Sequence, residues 1–381
     1  MLKNKIYKYF ITETTKSFLT ILFAFTAIAW TVRAVNFLDL VVDSGHSINT
    51  YLMYSLLNIT NIITKFIPLS FLLALYLSII KFERQNELLI LWTTGLSKIK
   101  LVNLFFKFSL FVLLMQVFFA TVVTPEALYK SRNLIKSSNF NTMPSIIKPN
   151  DFSDSFKSVT FYVEKKNSIN EMENVFIRDD ANVFKSIAPT DGDSSNTTII
   201  AQKGVIEDKK LILTNGIIQT QNKNGEITNI NFKQTELLAT QLTPKIIIMH
   251  KMQETSTLTL IKCLFLKFEN LKKANLINCP KDGNKKAIVE FLARRIGMPL
   301  YIPMISLICC FLLTSNKKIK VFKRYSFFTY GFFTLILAEI LVRYSGFSFI
   351  NALLYFSFPI VVIPILYLIL FKNFNNEKVK S

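Results

Sequence analysis

Residues 59–80 read ITNIITKFIPLSFLLALYLSII, and residues 82–98 read FERQNELLILWTTGLSK. The first stretch is apolar on all sides at helical spacing. A helix needs about 20 such residues to cross roughly 30 Å of hydrocarbon, whereas a core helix of a soluble domain carries a polar face. The second stretch is different in kind. Glu83, Arg84 and Glu87 open it, Leu88, Leu91 and Trp92 recur at helical spacing, and Gly95 offers a stop. A second apolar run, Leu101–Val123, follows at once. The pair reads as one membrane span, a short amphipathic helix over 83–95, and a return into the membrane.

Working outward, four more runs have the same character: Phe18–Val42, Phe291–Thr314, Phe327–Tyr344 and Phe349–Phe371. The 381 residues are 51% hydrophobic, with a mean hydropathy of +0.36. The first run is too long for a cleavable signal peptide, and no A-x-A-like site follows it. Six transmembrane helices are therefore expected.

The polar insert between the third and fourth runs has no span. It alternates apolar and polar residues as half-buried strands do. In SVTFYVEK, Val159, Phe161 and Val163 share a face; NVFIRDD, TTIIAQKGVIED, KLILTNGIIQTQ and EITNINFKQTEL continue the pattern. Asn215-Gly216 and Asn224-Gly225 are turn signals, because type I′ hairpins need positive φ at both central residues. Leu258–Ile277 reads as a helical lead back to the membrane. The expected fold is a membrane α-helical chain of six transmembrane helices with an inserted all-β, jelly-roll-like domain. Its parts are 1–125 (spans 1–3 and the 83–95 helix), 126–286 (the β insert with its helical lead) and 287–381 (spans 4–6 and a tail).

Charge orients the spans, since Lys and Arg collect on the cytoplasmic side. One side gathers Lys3, Lys5, Lys8 and Lys16, then Lys81, Arg84, Lys98 and Lys100, then Lys317, Lys318, Lys320, Lys323 and Arg324, and finally Lys372, Lys378 and Lys380. The loops Asp43–Asn49 and Ser345–Ser348 on the other side carry no Lys or Arg. Both termini and the 81–100 loop are expected in the cytoplasm, and the β insert outside it.

The net charge of +20 does not mark a nucleic-acid binder. The insert holds 23 Lys/Arg against 17 Asp/Glu, so most of the excess lies at the ends of spans. Four cysteines are too few for a disulfide framework; Cys263 and Cys279 can pair only outside the cytoplasm. No P-loop, H-E-x-x-H or G-x-S-x-G appears. The only histidines are His46 and His250, and Ser70 and Ser109 have only Lys65 nearby as a base. No catalysis, cofactor or metal is expected.

Ionisable residues within spans are costly and point to function. Arg33, Lys65, Arg294, Arg295 and Arg343 lie in or beside apolar runs, all toward the outer side. Snorkelling and ion pairs account for some of them: Glu339 precedes Arg343 by a turn, Glu290 precedes Arg294, and Asp39 and Asp43 are near Arg33. The sharper reading is a cavity for an anionic amphiphile, in which arginine forks hold phosphate.

These features together resemble the lipopolysaccharide export permeases of the LptF/LptG type, over the whole chain. The resemblance rests on the order of three spans, an external β domain and three spans. It rests also on the short helix ending in T-G-L-S at 94–97, on I-P-L-S-F-L at Ile67–Leu72, and on R-R-I-G-M-P-L at 294–300. G-L-S-K at 95–98 is more like the LptF branch. A D-Q-I-F-G-P-type segment expected of LptG is replaced by Ala338-Glu339-Ile340-Leu341.

The resemblance implies a permease subunit of an ABC-type exporter in the bacterial inner membrane, drawing lipopolysaccharide from the outer leaflet toward a periplasmic bridge. It implies an LptB-like cytoplasmic ATPase dimer, an LptG-like second permease and an LptC-like single-span partner as companions, with β domains stacked edge to edge. Glu83, Glu87, Leu88, Leu91, Trp92 and Gly95 then form the coupling helix, with Glu87 facing a basic residue of the ATPase. Arg33, Lys65, Arg294, Arg295 and Arg343 become candidates for the lipid headgroup. A mechanotransmitting permease that moves no lipid is the alternative, as is an envelope scaffold binding a partner by strand addition.

Overall fold

The computed structural model describes residues 2–38, 41, 47–146, 149–156, 158–167, 171–180, 194–207, 210–222, 227–238, 252–265, 285–314 and 321–380. They form two compact units, one of Met1–Val32, Leu57–Tyr129 and Lys251–Ser381, the other of Arg33–Leu56 and Lys130–His250.

The helical elements begin with α1 (Leu2–Phe37), α2 (Ile48–Arg84), α3 (Glu87–Thr93) and α4 (Lys98–Phe118), which passes through a π-helical turn, Phe119–Val123, into α5 (Thr124–Ile146). Beyond the β insert come a 3-10 turn (Met252–Glu254), α6 (Thr257–Phe265) and α7 (Lys285–Leu292). A second π turn (Ala293–Gly297) leads through Met298–Leu300 into α8 (Tyr301–Cys310), followed by α9 (Val321–Ser345) and α10 (Phe349–Lys380). Among the described residues, six stretches are long and apolar enough to cross a membrane: Lys5–Phe37, Ile48–Arg84, Lys98–Ile135, Lys285–Leu313, Tyr325–Ser345 and Phe349–Asn376. Each contains or closely overlaps one of the six runs read from the sequence.

The spans are not equally enclosed. The most apolar window of the fourth is 72% buried, against 17% for the first and sixth. Ile67, Phe71, Leu72, Leu75 and Ile79 of α2 meet Leu101, Val102 and Phe105 of α4 and Tyr301, Ile302 and Ile305 of α8 in one core. Gly331 of α9 permits close packing there: a Cβ would stand 2.6 Å from Leu72 Cδ1.

Three of the prolines within the spans tie helices together in the same way. A proline withholds the amide that would bond the carbonyl four residues earlier, and in hydrocarbon that carbonyl needs another donor. For Pro68 of α2 it is the Thr64 carbonyl, which accepts Gln116 Nε2 of α4 at 3.4 Å. For Pro125 it is the Thr121 carbonyl, which accepts the Thr257 hydroxyl of α6 at 2.8 Å. For Pro359 of α10 it is the Tyr355 carbonyl, which accepts the Tyr301 hydroxyl of α8 at 3.2 Å. Three breaks in three helical ladders thus become three ties between helices.

The other unit holds a six-stranded antiparallel sheet: β1 (Phe152–Phe156), β2 (Val159–Lys166), β3 (Glu171–Asp179), β4 (Ser194–Glu207), β5 (Lys210–Asn222) and β6 (Ile227–Leu238), adjacent in sequence order. One face is buried along the column Phe161, Ile177, Ile199 and Ile218, which are paired in register. The inserted β domain expected from the sequence is thus present, and its described strands follow one another as a meander in one sheet.

Asn215-Gly216 is not a turn. It lies inside β5, with Asn215 at φ 53°. A Cβ on Gly216 would stand 2.2 Å from the Ile200 carbonyl oxygen and 2.5 Å from the Phe232 ring. The positive φ and the missing side chain serve a kink where neighbouring strands press close. Asn224-Gly225 lies outside the described residues. Cys309 and Cys310 are free and buried. Cys263 is disulfide-bonded, while Cys279 lies outside the described residues.

Candidate functional site

A cavity of about 360 Å³ opens within the membrane unit, between α2, α4, α5, the π turn at 293–297 and α9. Asn61, Thr64, Lys65 and Pro68 line it from α2, Gln116 from α4, Gln253 from the 3-10 turn, Arg294 and Arg295 from the π turn, and Glu339 from α9. The irregular backbone explains this convergence. Pro299 and Pro303 cannot donate amides, and the start of the fourth span breaks into π and 3-10 turns that swing both arginines toward one side. Gln116 spends its amide nitrogen on Thr64, while its Oε1 is buried and has no hydrogen-bond partner among the described residues.

Three of the five cations singled out in the sequence therefore line one cavity: Lys65, Arg294 and Arg295. Their individual situations differ. Arg294 Nη1 donates to Glu339 Oε1 at 2.5 Å, and its Nη2 lies 3.6 Å from Glu290 Oε1. Glu339 thus reaches across to another helix rather than to Arg343 one turn along its own. Arg343 is exposed on α9 and is not among the cavity's lining residues. Arg33 is half-buried in the other unit, where Tyr51 donates its hydroxyl to the Ala34 carbonyl at 3.0 Å.

Arg295 is the most enclosed, at 7% exposure. Its Nη1 donates to the Thr255 carbonyl and the Thr257 hydroxyl, both at 2.9 Å. Its Nη2 donates to the carbonyls of Gln253 at 2.9 Å and Met252 at 3.3 Å. A guanidinium fits here because its planar set of N–H donors, with no acceptor of its own, matches a cluster of carbonyl and hydroxyl acceptors. Nothing in the sequence singled out residues 252–257 as its partners.

The second locus is α3. Glu83 belongs to the last turn of α2, which runs on to Arg84; Asn86, at φ 57°, breaks the chain before α3 starts at Glu87. The helix therefore begins later than the 83–95 reading. It ends in a Schellman motif: Leu96 N–H bonds the Leu91 carbonyl at 3.2 Å, Gly95 N–H bonds that of Trp92 at 3.1 Å, and Gly95 has φ 83°. Leu88 and Leu91 are buried in the protein's own core, and Trp92 packs partly against it, with Lys98 Nζ 5.6 Å from the indole. The exposed apolar residues are the two between, Leu89 (61%) and Ile90 (59%). Glu87 Oε1 accepts the Tyr9 hydroxyl at 2.9 Å. Glu13 joins the same region, 2.9 Å from Lys81 and 3.1 Å from Lys16.

The β unit has a hollow of its own, about 780 Å³, on the face opposite its core. Phe152, Tyr162, Phe176, Ile200 and Ile217 line it, and they are paired in register from β1 to β5 as one apolar row.

Comparison with known proteins gives two findings. The chain is 24% identical over 252 residues to the "Uncharacterized protein RP871" of Rickettsia prowazekii (strain Madrid E). That similarity takes in 66% of this chain and 64% of the relative, so the chain spans less than two thirds of the relative's length. The family model described as lipopolysaccharide export system permease LptF/LptG matches residues 8–373, from the first span through the β insert to the last. With six spans, a β insert and a match of that extent, the chain belongs to the LptF/LptG family of lipopolysaccharide export system permeases.

Proposed function

We propose that this chain is a permease subunit, of the LptF branch, in an ABC-type lipopolysaccharide exporter of the bacterial inner membrane. ATP is hydrolysed on an LptB-like dimer that docks at α3; an LptG-like permease and an LptC-like single-span protein complete the assembly. The observation that carries this reading is α3 itself. A seven-residue helix, closed by a left-handed residue at each end, is clamped to the membrane core by Leu88 and Leu91 and offers Leu89 and Ile90 outward. A helix anchored on one side and apolar on the other suits a groove in a partner, and it moves the spans it joins when pushed.

Lipopolysaccharide is the cargo in this reading. Lys65 and Arg294 are the headgroup contacts at the cavity, and Arg343 and Arg33 are further candidate contacts for phosphorylated lipid, each at its own place. The two termini and the α3 region are cytoplasmic and the β unit periplasmic. The lysine and arginine bias supports that orientation, as does the disulfide at Cys263, since such bonds persist outside the reducing cytosol.

The experiment is purification of the chain from its native membrane, with lipid and protein partners identified by mass spectrometry, then reconstitution in vesicles. Bound lipopolysaccharide and an ATPase whose hydrolysis releases it are the expected outcome. A chain that assembles with its partners yet neither binds nor moves the lipid would overturn the reading.

A further inference from the structure

Arg295 joins three pieces of chain that are far apart in sequence. The π turn Ala293–Gly297 carries it, and it packs against the other π turn, Phe119–Val123. Into that meeting point comes residues 252–259, the stretch by which the chain re-enters the membrane unit from the β insert. Its order is locally prescribed. Met252–Glu254 forms a 3-10 turn, Ser256 Oγ caps α6 by accepting the Thr259 N–H at 3.2 Å, and Thr257 opens α6.

Thr257 is the shared point. Its hydroxyl accepts from Arg295 Nη1 at 2.9 Å and donates to the Thr121 carbonyl at 2.8 Å. That carbonyl is the one Pro125 cannot serve. The guanidinium, the hydroxyl and the proline-freed carbonyl thus form one relay from the fourth span, through the returning strap, to the third. π turns recur at functional sites in helices, and here two of them meet around one buried cation.

We infer that Arg295 is a positioning residue for transport rather than a headgroup ligand: it pins the strap 252–257 to the paired π turns, so that movement of the third and fourth spans is delivered to the chain leading to the β unit. Both terminal nitrogens of Arg295 are spent on the strap, and four fork-shaped donations hold its direction as well as its distance. Lysine keeps the charge but offers no planar fork. Valine at 257 keeps the shape of threonine and removes the hydroxyl. Serine restores it.

The inference rests on the exporter reading, and the test separates the two. In the full-length chain with its companions, amide hydrogen exchange is compared among the unaltered protein, Arg295→Lys, Thr257→Val and Thr257→Ser. Amides of residues 252–259 should exchange at least tenfold faster in Arg295→Lys and Thr257→Val, with α4 and α8 unchanged and Thr257→Ser close to the unaltered protein. In vesicles, the ATP hydrolysed per lipopolysaccharide released should rise severalfold for the first two variants at an unchanged rate of hydrolysis, and Thr257→Ser should restore the ratio.

Exchange and stoichiometry that are unmoved by Thr257→Val overturn the inference. So do hydrolysis and release that fall in proportion, or a Thr257→Ser as impaired as Thr257→Val. If the unaltered complex releases no lipid with ATP, the exporter reading has failed, and the exchange comparison alone decides whether the strap is pinned.

Discussion

Leu88 and Leu89 differ by one position and by about 100° around a helix axis. That angle separates a residue of the membrane core from one facing outward. If the outward pair docks a partner, Ile90→Glu should abolish co-purification of the ATPase while leaving the amount of chain in the membrane unchanged, because position 90 contributes nothing to the core. Leu88→Ala should do the reverse, lowering stability by about 2–5 kcal/mol through the cavity it leaves, seen as earlier heat-induced aggregation in detergent. Gly216 makes the same point in the sheet. Gly216→Ala drives a methyl group into the Ile200 carbonyl and should cost about 1–3 kcal/mol. Limited proteolysis of the full chain should then cut within 150–238 at lower temperature than before, with the spans untouched.

At the scale of elements, α3 owes its limits to two backbone conformations that most residues avoid. Asn86, at φ 57°, separates it from α2. A β-branched residue pays about 1–2 kcal/mol there, so Asn86→Val should let α2 and α3 merge or unravel, and Asn86→Gly should be tolerated. The check is coupled hydrolysis and release in vesicles: Asn86→Val should lower both more than Asn86→Gly does. The sequence made the existence of this element visible, since acids, apolar spacing and a glycine stop are local signals. It did not show which apolar residues face outward, because that depends on where the helix starts and how it leans on α2 and α4. The spans were legible for a similar reason: hydrocarbon imposes its demand on each stretch separately. The strands were legible by alternation. The kink at Asn215 was read as a turn because positive φ serves both purposes. The surroundings of Arg295 were hidden, since the carbonyls that hold it lie about 40 positions away and converge only in the folded chain.

At the scale of the whole molecule, charge bias predicts that cysteine or reporter tags after Lys100 and Lys320 read cytoplasmic and one near Asn196 reads periplasmic. A periplasmic signal after Lys320 would exclude six spans in this orientation.

The enclosure of the fourth span also bears on how the chain is made. This span carries Glu290, Arg294 and Arg295 near its start, and on insertion scales an arginine at mid-membrane costs about 2.5–3.5 kcal/mol, less toward the interface. It leaves the ribosome after the first three spans and before the last two. The partners already waiting are α2 and α4: Ser306 Oγ of α8 reaches the Phe105 carbonyl of α4 at 3.3 Å, and Pro125 has left the Thr121 carbonyl ready for the strap. Glu339, the closest acid to Arg294, arrives only with the fifth. During synthesis Arg294 therefore has one countercharge within its own span, Glu290 at 3.6 Å, and gains a second, Glu339, only when α9 arrives; the span enters the bilayer on its own mean hydropathy of 2.2, and its charge pairing is completed later by the half still to come.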